Sequence, residues 1–532
     1  MNTSSNTSTY SASSASTSIS SSPYGPEFSN PLPDTTDNFL EETDSYKATH
    51  NLNGKGRTLM YVYAWIGSRV GKDGPDFQIF VGQQHIAATI ASYRLTKEHV
   101  DSMVETCAAH FGVATFDREP YDKIVAAGGR IPMRIWAVRE GTKLPRGVYG
   151  LVVESTSCPA IALLLEAHLQ RIWYSTGVAT RTMEYRIQAF TNLKKTTEAA
   201  TASACFPFRI HDFGVRACAS KEQAKIGGLA ALEVGNLGTD NIPALKYAQL
   251  LMPDIDPSTG KPKMSAFSVP AGEHNVAYSR GEEHEMEPVE IALDKYDGLL
   301  SWPIDTYNTV RFVDRVTQPG PFRDRLMART GKFILRPDSP IIDDSGAKMD
   351  HARTIVTIYE RMRTNLSDLT PTTGGIRVNG KGYFVLPDWV GMIYGDSVTV
   401  KDVEDIYALM TTEPYKWSAE NIVFGVGGNL LQNSVTRGWL DFAMKSSQQI
   451  YRDDATGETI IMDVGKKTPG KESPVGRLKV INRGGRITMV PEADGEEPNM
   501  MVCYYEDGRL YNFESLDTIR ARVASQMGFH FD

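Results

Sequence analysis

Residues 268–276 read SVPAGEHNV, and Glu273-His274 follow a short apolar run that ends at Pro270. An imidazole beside a carboxylate can carry a proton or act as a nucleophile near neutral pH. A lone histidine in apolar surroundings is as readily a satisfied structural residue, so the pair gains meaning only from its companions. Other short apolar runs end in comparable clusters: Arg336, Asp338 and Ser339 after FIL, Gly395 and Asp396 after GMIY, and Gly425, Gly427 and Gly428 after NIVF. RIHDFGVR adds Asp212, Phe213 and Arg216, and NLGTDNI adds Asp240. Bare glycines between a strand and a helix let backbone N–H groups approach an anion. Arg437, Lys445, Lys467 and Lys471 downstream could clamp phosphate, although Lys467 and Lys471 suit a solvated basic face equally well. Asp338 and Asp396 suit ribose hydroxyls or a magnesium ion carried on a diphosphate, and Phe213 offers a face to a flat ring. Ribose, phosphates and a planar heterocycle are the ligand these groups describe. GEEHEMEPVE (281–290) imitates the HExxH zinc pattern but lacks the second histidine, and reads as a charged turn.

The elements that must position these groups follow from periodicity. Between about 206 and 436, short β-branched bursts (AFSV, GKFILRP, GMIYGD, NIVFGVGG) alternate with amphipathic stretches such as DHARTIVTIYERMR and TVKDVEDIYALM. Doubly buried strands separated by helices predict a parallel α/β sheet or barrel, whose ligands gather at the carboxyl ends of the strands. Residues 160–200 carry helical spacing, while the last hundred residues return to strand–turn–strand patterns and end in a helix, SLDTIRARVASQM, capped by Ser515 or Asp517. The expected division is a disordered Ser/Thr-rich tail at 1–37 and an α/β barrel at 206–436. Segments 38–205 and 437–532 are expected to join into one β-rich α+β domain.

Bulk composition narrows the function classes. With 56 basic and 64 acidic residues, a net charge of −8 speaks against nucleic acid or an anionic membrane as the principal partner. No run of about 18 apolar residues marks a membrane span. The five cysteines (Cys107, Cys158, Cys205, Cys218 and Cys503) form no CxxC pair, so neither a disulfide frame nor a zinc cage is expected. The tail has neither the apolar core of a secretory signal nor the arginines of a transit peptide, and a cytoplasmic protein is expected.

Read in order, HDFGVR, GTD, SVPAGEH, RPDS, YGDSV and FGVGGNLLQ, with TDSYKATH at 43–50, resemble the motifs of nicotinamide phosphoribosyltransferases over residues 38–532. The nicotinate phosphoribosyltransferases share part of the pattern. The resemblance implies an irregular (β/α) barrel, a homodimer with shared sites, and condensation of nicotinamide with 5-phosphoribosyl 1-pyrophosphate. It implies that Phe213 and the neighbouring subunit's own copy of Tyr46 sandwich the ring. Asp240 would accept from the carboxamide and thereby disfavour nicotinate. Arg216 and Arg336 would line the ring and phosphate channel, with Asp338 near ribose and diphosphate. Gly395, Asp396, Gly427 and Gly428 would hold ribose and phosphate. Arg437 and Lys445, with Arg69 contributed across the dimer, would hold the 5′-phosphate. His274 would be phosphorylated by ATP with Glu273 assisting, and magnesium would enter on the donor's diphosphate.

Three departures stand out. SWPID (301–305) places Trp302 where the family has the Asp that supports this histidine, with Asp305 retained; Pro340 follows Ser339; and Ala443 replaces a small serine. The first leaves His274 without its usual orienting carboxylate. Together they raise a second donor, ADP-ribose pyrophosphate, whose adenine Trp302 would stack and whose product would be NAD. A nicotinate-specific enzyme is disfavoured by Asp240. A non-catalytic protein on the same fold is disfavoured because Asp240, His274, Arg336, Asp338, Asp396 and Arg437 are all present.

Overall fold

The computed structural model describes residues 38–70, 74–343, 345–433, 435–468 and 472–531. The Ser/Thr-rich segment 1–37 and Lys471 lie outside the described residues.

Six parallel strands lie side by side in the order Gly238–Thr239, Ile210–Asp212, Ile422–Val426, Val390–Tyr394, Phe333–Arg336, Leu300–Pro303. Strand Leu300–Pro303 is buried at all four positions, as expected of a strand covered on both faces. Helices run between the strands: Lys221–Glu233, Thr309–Thr317, His351–Asn365 and Val400–Met410. Asp350 caps the third by accepting from Arg353 N, and Thr399 forms a reciprocal capping box with Asp402 on the fourth.

The two outer strands are joined by the segment 267–272, which turns the sheet into a ring. Phe267 bridges Gly238 and Ala271 bridges Ser301, both parallel. The AFSV run therefore differs from the strand expected of it. Pro270 has no N–H to donate, so the ladder is reduced to single bridges with loop on either side.

A second sheet, largely antiparallel, draws on both ends of the chain: Thr459–Asp463, Phe442–Asp453, Arg57–Ser68, Tyr149–Ser155, Met133–Val138, Met501–Glu506, Arg509–Leu510. Its core holds Trp65, Val153 and Tyr505. The helical run near 160–200 divides into Pro159–Leu164, Glu166–Gln170 and Ile172–Thr196. The last packs Val178, Met183, Tyr185 and Leu193 into the barrel's core rather than into the β-rich sheet it follows in sequence. Helix Leu516–Met527 is capped by Ser515, which accepts from Thr518 N. No helix among the described residues is long and apolar enough to cross a membrane.

Candidate active site

The carboxyl ends of the ring strands surround one end of a cavity of about 440 Å³, lined there by His211, Phe213, Asp240, Ser268 and Arg336. Strand Ile210–Asp212 explains part of this lining. Side chains alternate across a strand, so His211 and Phe213 project together while Asp212 points the opposite way. Asp212 is buried, accepting from Gly214 N at 2.7 Å and Asn241 Nδ2 at 3.2 Å. Sequence reading placed Asp212 among the ligand-facing groups, but the alternation makes it a structural residue. Burial pushes its carboxyl up, and those hydrogen bonds oppose the shift.

Phe213 is held by its backbone N–H, which donates to the Val426 carbonyl at 3.0 Å. Its ring lies over Gly425, where a Cβ would fall 2.3 Å from the ring edge, so the glycine there makes room for the aromatic. Asp240 follows strand Gly238–Thr239. Its Oδ1 accepts from His211 Nε2 at 3.0 Å and from the Ser268 hydroxyl. Burial would raise this carboxyl, but the two donors and the Arg336 charge outweigh it and hold Asp240 below the usual range.

Arg336 ends its strand, donates to the Gly272 carbonyl, and feels the charges of Asp338, Asp240 and Asp305. Beyond it lies a carboxylate-rich rim. Asp338 is raised by burial and then by Asp305, against Arg336, His274 and the exposed Arg216. Asp396 is likewise raised, first by burial and also by Asp305, while His351 opposes. A Cβ at Gly395 would fall 2.9 Å from Asp338 Oδ1, which places that glycine against the same rim.

His274 opens the short helical turn His274–Ala277, and its Nε2 lies 3.1 Å from Asp305 Oδ1. The Asp305 side chain is 3% exposed and His274 38% exposed. The loss anticipated from Trp302 is therefore made good three residues later, and His274 does have an orienting carboxylate. Trp302 itself is 2% exposed and packs onto Gly272, where a Cβ would meet its ring at 2.6 Å. It presents no face for an adenine. Glu273 is exposed and accepts from Asn275 Nδ2 at 3.2 Å.

Gly427 and Gly428 open the short turn Gly428–Leu431 beside the Phe213 backbone. The remaining basic residues stand apart from the cavity lining. Arg437 is exposed and donates to the Phe442 carbonyl at 2.7 Å. Arg69 pairs with Asp441 at 2.6 Å. Lys445 is half-buried; burial lowers its pKa, Glu166 opposes, and the charges of Arg69, Lys47 and Lys466 lower it further. Tyr46, 53% exposed, sits beside Lys47 in the turn Ser45–Thr49. Lys467 is exposed after strand Thr459–Asp463.

His211 and Ser268 hold Asp240, and neither stood out in the sequence, whereas Asp305, which holds His274, did. A period-2 reading of IHDF would have marked His211 in place of Asp212.

An aromatic, a hydrogen-bonded carboxylate and an acidic rim thus gather at the carboxyl ends of the barrel strands, where enzymes of barrel fold carry their sites. Residues 208–456 match the model of the nicotinate phosphoribosyltransferase (NAPRTase) family, and residues 38–135 match the nicotinamide phosphoribosyltransferase N-terminal domain. Both models describe nicotinate or nicotinamide phosphoribosyltransferases, the enzymes to which the chain is similar. It is 29% identical over 513 residues, 92% of this chain and 98% of the other, to a nicotinamide phosphoribosyltransferase of Xanthomonas campestris pv. campestris (strain 8004). A protein of the same name from Acinetobacter baylyi is 27% identical over 417 residues, 75% of this chain and 77% of the other. In fold the chain is similar to a nicotinate-nucleotide pyrophosphorylase from Pyrococcus furiosus (TM-score 0.56, 16% identity, 93% and 96% of the two chains covered). It is also similar to human nicotinic acid phosphoribosyltransferase (TM-score 0.51, 13% identity, 92% and 94% covered).

Proposed function

We infer that this chain is a nicotinamide phosphoribosyltransferase, joining nicotinamide to 5-phosphoribosyl 1-pyrophosphate to give nicotinamide mononucleotide and pyrophosphate in NAD salvage. The observation that carries the reading is the ionised Asp240 beside Phe213. A carboxylate there accepts from a carboxamide NH₂ and repels a second carboxylate, so it selects amide over acid.

In the transfer, the pyridine nitrogen lone pair forms the new bond to C1 of the ribose. The C1–O bond breaks, and pyrophosphate leaves with that electron pair. The chain's contribution is positioning and charge: Phe213 holds the ring, Arg336 spans the ring and diphosphate ends, and Asp338 and Asp396 face the ribose. Among the described residues no three His, Cys, Asp or Glu side chains converge as a metal cage. Asp338 and Asp396, each raised by burial and by the Asp305 charge, suit a magnesium ion brought in on the donor, which would neutralise charge on the leaving diphosphate. His274, oriented by Asp305, is the residue for an ATP-derived phosphate, with Glu273 beside it.

A homodimer is favoured because Tyr46, Arg69 and Lys445 lie away from their own chain's cavity, in one neighbourhood with Lys47 and Glu166. There they could complete a second copy's site as ring and 5′-phosphate contacts, joined by Arg437 and the glycines 427 and 428. Cytoplasmic location accords with such metabolism. With Trp302 buried, the ADP-ribose pyrophosphate donor loses the residue expected to stack its adenine. The decisive experiment mixes protein and nicotinamide with each donor and weighs the products. Nicotinamide mononucleotide from the short donor is expected; NAD from the long donor with no mononucleotide from the short one would overturn the assignment.

A further inference from the structure

Asp240 carries its two hydrogen bonds on one oxygen. His211 Nε2 and the Ser268 hydroxyl both reach Oδ1, and among the described residues no hydrogen bond is made by Oδ2. An ionised carboxylate can only accept, so His211 must hold a proton on Nε2 to make this contact. The imidazole is not free to turn away. It is 8% exposed, its ring centroid lies 4.6 Å from that of Phe213, and a Cβ on Gly238 would fall 2.9 Å from its Nδ1. One side chain thus touches both halves of the ring clamp, the aromatic and the acid.

We propose that His211, with Ser268, is a specificity-setting positioning residue: it fixes Asp240 by Oδ1 and leaves Oδ2 turned to the substrate carboxamide. The inference rests on nicotinamide being the ring bound here, and it adds the groups that orient and ionise the discriminating acid. The charged and hydrogen-bonding groups facing Asp240 are His211 and Ser268, with Arg336 from the neighbouring strand end. Without its donors, Asp240 would be freer to rotate and easier to protonate, and a protonated Asp240 no longer repels nicotinate.

The test uses the full chain and compares kcat/KM for nicotinamide with that for nicotinate, with 5-phosphoribosyl 1-pyrophosphate as donor. His211→Phe keeps a ring but removes the donor, whereas His211→Gln restores an N–H near the Nε2 position. The Phe variant is expected to lower the amide-to-acid ratio about tenfold or more, chiefly through the nicotinamide KM. The Gln variant should stay within about threefold of the parent, and Ser268→Ala should fall between them. A ratio unchanged in His211→Phe, or a Gln variant as defective as Phe, would overturn the proposal. If His211→Phe does not fold, as judged by its melting curve, an unchanged ratio in Ser268→Ala overturns it instead. A parent enzyme without nicotinamide turnover would sink the underlying assignment, and an active parent with indifferent variants sinks only this inference.

Discussion

His274 and Asp305 form a hydrogen-bonded pair, 3.1 Å between Nε2 and Oδ1, in which the imidazole is half-open to solvent and the carboxylate is enclosed. Among the described residues, the second oxygen, Asp305 Oδ2, is buried without a partner. This asymmetry suits an orienting group: the acid is fixed by its surroundings and the histidine is left to meet a substrate.

Asp305→Asn keeps the shape but offers a neutral amide to the histidine. The kcat for nicotinamide is expected to fall roughly ten- to hundredfold with little change in the nicotinamide KM. Steady-state kinetics at saturating donor check this, and a kcat equal to the parent's would remove Asp305 from the mechanism.

The same substitution has a pH signature. Burial and the Asp305 charge make Asp338 and Asp396 harder to ionise, so each takes up its proton above the ordinary value of about 3.9. The acid limb of kcat/KM for the donor should therefore lie above that range. In Asp305→Asn, loss of one like charge lets both ionise more readily, and the limb moves to lower pH. The position of the limb, rather than its height, is the readout; an upward movement contradicts the arrangement.

Gly425→Ala would drive a methyl into the Phe213 ring. The ring must shift, so the nicotinamide KM should rise about tenfold and stability should drop by about 1–3 kcal/mol. Calorimetry and kinetics on one preparation check both; an unaltered KM would mean that the Phe213 face is not the ring's platform.

Arg520 joins the last helix to the barrel, donating to the Leu232 and Ser265 carbonyls at 2.8 Å each, and it lies near the fully buried Glu233. Arg520→Ala leaves both carbonyls and that acid without their positive neighbour. A loss on the order of 3 kcal/mol is expected, seen as a melting point several degrees lower, with kcat at 25 °C unchanged.

The strand ends were legible because doubly buried strands advertise themselves as apolar bursts, and the polar clusters at Arg336, Asp396 and Gly425 follow directly after them. Helices His351–Asn365 and Val400–Met410 were legible from their amphipathic spacing. The finer site was not. Asp212 was read for its charge, whereas orientation decides its role, and orientation follows from alternation along a three-residue strand. Ser268 looks unremarkable among small residues until folding brings it against Asp240, 28 positions away. Trp302 suggested a lost carboxylate because motif comparison is positional, while a hydrogen bond requires only reach, and Asp305 has it. Packing of Ile172–Thr196 into the barrel is a long-range choice that no local period records.

The segment that carries Glu273 and His274 closes the ring through one bridge at Phe267 and one at Ala271. The barrel thus has a seam, fastened by few rungs where its other joints have a ladder, and His274 hangs beside it. Amide protons around 267–277 should exchange with solvent well before those of Ile422–Val426, and the enclosure can breathe there while the rest of the wall stays zipped.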